Sequence, residues 1–231
     1  MHFHLPKPLH GWREFAGEVG IIVIGVLIAL GAEQIVENIL WSHRVQQSEV
    51  RLRADLKDDS SFASQYEILT HCADAYLERM QTDLLKHDES DMARLYKMGP
   101  PYVAEPWKVV AWENATASQI GDHMPTDRFQ VYEEAFRGAD LLRDFNLRFR
   151  DDYAAAMTGR FALPADTKTT ADELAAVERL RAYITVGRNI AKNDLVKPSA
   201  RLRVTLDPEI VDYYRQQAEK CSALLGPPRS Q

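Results

Sequence analysis

The sequence predicts an all-α protein: an amino-terminal transmembrane helix continuing into a long stalk helix and an antiparallel helical bundle. Three observations carry that expectation. An uncharged apolar run from Val19 to Ala32 lies between Glu18 and Glu33 in an otherwise polar chain. Between Ala32 and Met98 there is neither glycine nor proline, the residues that normally punctuate helices. Beyond it, apolar residues recur at three- and four-residue spacing. Strand-like alternation is confined to Arg201-Leu-Arg-Val-Thr-Leu206, expected to be a short extended segment.

The uncharged run alone is shorter than the roughly 20 residues that cross a hydrocarbon core. Extended over residues 15–41, the helix reaches about 40 Å at a rise of about 1.5 Å per residue. Trp12 and Trp41 then stand at the two headgroup levels that indoles favour, with Glu18, Glu33 and Glu37 near the boundaries. A buried soluble helix and a cleaved signal peptide are the competing readings, the latter because Ala29-Leu-Gly31 has the small-x-small pattern of a cleavage site. The long segment from Met1, carrying Glu14 and Glu18 instead of a plain basic flank, favours an uncleaved anchor. Residues 1–14 are then a short cytoplasmic tail, 42–226 an extracytoplasmic, periplasmic domain and 227–231 a loose tail. Lys7 and Arg13 on the short flank set this orientation against the more distant Arg44, Arg51 and Arg53, because long domains translocate largely regardless of charge.

Gly17-Glu18-Val19, followed by Ile-Gly-Val-Leu-Ile-Ala-Leu at 24–30, resembles the amino-terminal motif of uncharacterised bacterial single-pass membrane proteins. In those proteins a Gly-Glu-apolar step and Ile-Gly-Ile-Leu-Ile-Ala-Leu precede a helical domain. They often continue with Gln-Ile-Asn-Asn-Trp, where this chain has Gly31-Ala-Glu-Gln-Ile-Val-Glu-Asn38. The resemblance implies an anchored protein of the bacterial envelope and no particular chemistry.

After the anchor, Val45, Leu52 and Leu56 form a sparse stripe, and Phe62, Tyr66, Leu69, Ala73, Tyr76, Met80 and Leu84 a dense one. Asp58-Asp-Ser-Ser61 supplies cap-type residues, so one long helix and a break there are both allowed. Gly99-Pro-Pro-Tyr102 ends this half. A helix is expected from Pro106 through Trp107, Val110 and Ile120 to a stop at Gly121. Another starts at Pro125-Thr126 with a face from Phe129 to Tyr153. Thr170-Ala-Asp-Glu173 reads as a capping box opening a third, and Asp207-Pro208 caps a last one that closes at Gly226.

With 45% hydrophobic and 27% charged residues, the part beyond the anchor can bury one sizeable core. A net charge of −6 without a basic stripe argues against nucleic acid as a partner. Cys72 and Cys221, the two cysteines, sit on apolar helical stripes. They read as buried thiols or, in an oxidising compartment, as a disulfide. The seven histidines are scattered, with His2-Phe-His4 the one close pair, and no metal or cofactor site is expected. A nucleophile elbow, HExxH, a phosphate-cradling loop, CxxCH and the dinucleotide glycine pattern are all missing, so no catalytic residue is assigned.

Tyr102, Trp107, Trp112 and Tyr132, with Phe129 and Phe136, are the candidate walls of a small-molecule pocket, against the plainer alternative of core packing. In the anchor, Gly25, Ala29 and Ala32 share one small-residue face that lets another membrane helix approach closely. The expected function is therefore non-enzymatic: an accessory subunit or assembly factor of a larger inner-membrane complex. Its partners would be the bilayer and other integral subunits, with a homo-oligomer also open. The alternative is an extracytoplasmic ligand-sensing domain that signals through a membrane partner.

Overall fold

In the computed structural model, which describes residues 11–86, 89–102, 106–162 and 167–225, every regular element is a helix and no strand occurs among the described residues. Two compact units divide at Gln47/Ser48, somewhat beyond the expected end of the anchor at residue 41. The expected tail at 1–10, the His2 and His4 pair, His87, and the carboxyl end from Gly226 lie outside the described residues.

Helix α1 spans Trp12–Ala63, as the absence of glycine and proline after Ala32 requires. Over residues 21–40 its apolar side chains face outward all round: Ile21, Ile24, Leu27, Ile28 and Leu30 are each more than half exposed. This helix is long and apolar enough to cross a membrane, and none of its most hydrophobic window, of mean hydropathy 2.3, is buried.

The second unit begins within α1, where Leu52 and Leu56 are sealed in its core. Asp58-Asp-Ser-Ser61 does not end the helix; the irregularities fall at Ser64 and Leu69, which separate α1 from α2 (Gln65–Ile68) and α2 from α3 (Thr70–Lys86). Three hydroxyls explain them. Ser61 donates to the Lys57 carbonyl, Ser64 to that of Ser61 at 2.6 Å and Thr70 to that of Tyr66 at 2.7 Å, each competing with the backbone ladder. Helix α4 (Glu89–Met98) ends at Gly99, whose φ of 73° is a glycine conformation.

Helix α5 is Val110–Ala117, shorter at both ends than expected. Pro106 to Val109 have no regular structure, and the chain turns at Gln119 in the left-handed region before a 3-10 turn at Ile120–His123. Helix α6 (Thr126–Ala162) starts where Pro125-Thr126 predicts, and Tyr132, Phe136, Ala139 and Leu142 of its expected face are buried. It packs most extensively on α7 (Thr167–Ile190), which lies against α3, and α3 in turn contacts α9 (Pro208–Leu225). Since α7 begins at Thr167, the supposed capping box lies inside its first turns.

A π-helical segment, Ala191–Val196, follows α7 and leads into α8, Lys197–Arg201. Pro198 has no N–H for the Asp194 carbonyl and its ring crowds that group, which disfavours ordinary α pairing there. The extended segment expected at 201–206 begins instead as a helix end and turn over 201–203. Arg201 closes α8, and Val204 N–H bonds to Ser199 O at 3.0 Å while Arg203 N–H bonds to Ala200 O at 2.9 Å, a Schellman turn. Asp207 caps α9 as predicted, accepting from Glu209 N–H at 3.0 Å.

Candidate functional site

The small-residue face of α1 is open. A Cβ added at Gly25 would meet nothing within 4 Å, and Ala29 and Ala32 are exposed on the same side, one and two turns on. Trp12 is exposed, and the Arg44 guanidinium lies 4.9 Å over the Trp41 ring, capping an aromatic surface with a cation. In the first unit this helix offers an exposed apolar surface.

The aromatic candidates separate into distinct clusters. Trp112 stacks on Phe136 and tilts against Phe129, with centroids 5.5 and 5.1 Å apart, whereas Tyr102 stacks on Tyr66 at 5.0 Å and meets the edge of Phe149. Trp107 and Tyr132 are buried. These rings fill space against one another, and neither of the two clefts described below is lined by Tyr102, Trp107, Trp112 or Tyr132. Further along, the Tyr66 hydroxyl donates to Asn146 Oδ1 at 3.0 Å, and the Tyr76 hydroxyl donates to Leu95 O at 3.2 Å and meets that of Tyr153 at 3.0 Å.

Cys72 on α3 and Cys221 on α9 are joined as a disulfide, with Cα atoms 5.8 Å apart, so they are not the two free thiols of the plainer reading. Both are buried. Helical periodicity places each on a core-facing stripe; their meeting depends on α9 packing against α3, which no local spacing shows.

Three features escaped the sequence. Asp59, which looks like part of a cap, is fully buried. Its Oδ1 accepts from Lys108 N–H at 2.9 Å and its Oδ2 has no partner among the described residues. Burial, reinforced by the neighbouring charges of Asp55 and Asp58 and opposed by Lys108, pushes its carboxyl up from 3.8 to about 8. Neighbouring Asp58 pairs with the Lys108 ammonium at 2.5 Å.

The second feature is a cleft of about 540 Å³ lined by Arg53, Arg128, Arg201 and Arg203 together with Asp127, Val131 and Leu202. The third is a small apolar cavity of about 100 Å³, beside Ser64, Tyr66 and Leu206 and against the π-helical segment at Ala191 and Val196. Among the described residues no group of three or more His, Cys, Asp or Glu could hold a metal ion. No protein-family model matches the chain, and no curated protein or solved structure matches it either.

Proposed function

We propose that this chain is a single-pass protein of the bacterial inner membrane, with a cytoplasmic amino terminus and a periplasmic helical domain. It acts without chemistry of its own, as an accessory subunit or assembly factor of a larger membrane complex. The observation that carries the reading is the all-round exposure of the apolar segment of α1, none of whose most hydrophobic window is buried. So large an apolar surface is covered by lipid or by other helices. Gly25, Ala29 and Ala32 supply the face for a neighbouring helix. The Cys72–Cys221 bond supports an oxidising compartment for the helical domain.

The test is gentle polymer extraction of the native protein, followed by size analysis and mass spectrometry of what co-purifies. A stoichiometric membrane complex is expected. In the Gly25→Leu/Ala29→Leu variant that complex should be lost while the soluble domain unfolds as before, and retention would sink the assigned face. A lone monomer in the first experiment overturns the accessory-subunit reading. A second reading, a solute-sensing domain that signals through a membrane partner, draws its support from the arginine-lined cleft.

A further inference from the structure

We infer that the cleft between α1, α6 and the turn after α8 is a binding site for a small oxyanion ligand carrying at least two carboxylate or phosphate groups. The inference stands whether or not α1 crosses a bilayer, because every group in it belongs to the second unit.

The cleft gathers cations from four places in the chain: Arg53 on α1, Arg128 in the first turn of α6, Arg201 at the end of α8, and Arg203 just beyond it. Three of them are held. Arg53 donates through Nη1 to the Leu202 carbonyl at 2.7 Å, Arg128 to the Glu49 carboxylate at 3.1 and 3.3 Å, and Arg201 to Glu134 at 2.9 Å. Each guanidinium has five N–H donors, so these contacts orient the groups and still leave donors over. The Arg203 side chain is exposed and makes no hydrogen bond or ion pair with the described residues. Counting Glu49, Glu134 and Asp127, the four cations outnumber the carboxylates around them, on a chain whose net charge is −6.

Arg203 also stands where the backbone favours another residue. Its φ is 59°, and it occupies the Schellman position where glycine adopts the left-handed conformation without a Cβ penalty. An arginine there gives up local stability and puts a free guanidinium on the cleft wall, while the Arg53 bond to Leu202 O fixes the turn that carries it. The volume, about 540 Å³, falls in the range of small-ligand sites. Planar, forked donors in such a space match carboxylate and phosphate oxygens two at a time.

The full-length protein in nanodiscs of zwitterionic lipid should be titrated with citrate and with pyrophosphate, binding being read by calorimetry and thermal unfolding, with sodium chloride at matched ionic strength as control. A saturable rise in Tm is expected with at least one of the two anions and not with chloride. Arg203→Gly should keep or raise the ligand-free Tm, because glycine suits that φ, yet weaken binding about tenfold or more, the loss of one charge-assisted contact. Arg203→Lys should fall between. Replacing the soluble anions by cardiolipin in the disc separates the sources. A Tm rise there that Arg203→Gly removes assigns the site to a lipid headgroup, whereas a response to citrate or pyrophosphate alone assigns it to a soluble ligand. No response beyond the salt control in any arm, or equal affinity in Arg203→Gly, overturns the proposal.

Discussion

At the scale of single residues, Asp59 is the group whose behaviour departs furthest from its sequence appearance. In Asp58-Asp-Ser-Ser61 it looks like a cap, yet α1 runs through it and the side chain is sealed beneath the Lys108 backbone. Its carboxyl titrates near 8 in the fold and near the ordinary carboxylate value of about 3.9 when unfolded. Between those values the folded protein holds a proton that the unfolded chain releases. Its contribution to stability is therefore complete below about pH 4 and is lost as the pH rises through about 8. Urea unfolding at about pH 5 and about pH 9 should show the wild type weakening with pH more than Asp59→Asn, which keeps the acceptor for Lys108 N–H and cannot ionise. Equal slopes would refute the assignment. The arginine cleft was illegible for a related reason: Arg53, Arg128, Arg201 and Arg203 are unremarkable one by one, and only tertiary packing collects them.

At the scale of elements, a close backbone approach joins α6 to the π-helical segment. A Cβ on Gly138 would stand 2.6 Å from the Asp194 carbonyl carbon, a backbone atom that cannot swing aside. Gly138→Ala should therefore cost about 1–3 kcal/mol by forcing the two elements apart, measurable as a lower urea midpoint at unchanged slope. No loss would mean that the contact gives way freely. Leu56→Ala in the wholly buried stripe of α1 should cost about 2–5 kcal/mol in the same assay. Long elements were legible because their apolar period is sustained over many turns, as in α6 from Phe129 onward. Short cues failed where tertiary demands or local turns won. The alternation at Arg201–Leu206 is the trace of a helix end, the Thr170–Glu173 box is overrun by α7, and Pro106 precedes its helix without starting it.

For the whole molecule, the exposed apolar helix and the folded acidic domain are separate structural claims, the first read from composition and the second from packing. What staples the domain is Cys72–Cys221, closing a loop across a sequence separation of 149. Serine at both positions, or reduction by dithiothreitol, should lower stability by about 2–5 kcal/mol. In a domain of this size that corresponds to roughly 4–20 °C in Tm, and an unchanged Tm would show the bond to be dispensable. The same bond makes helices α3 to α9 parts of one closed covalent ring. A protease that nicks the backbone once anywhere between the two cysteines releases nothing: the cut chain keeps a single mass on an unreduced gel, and its fragments separate only when thiol is added.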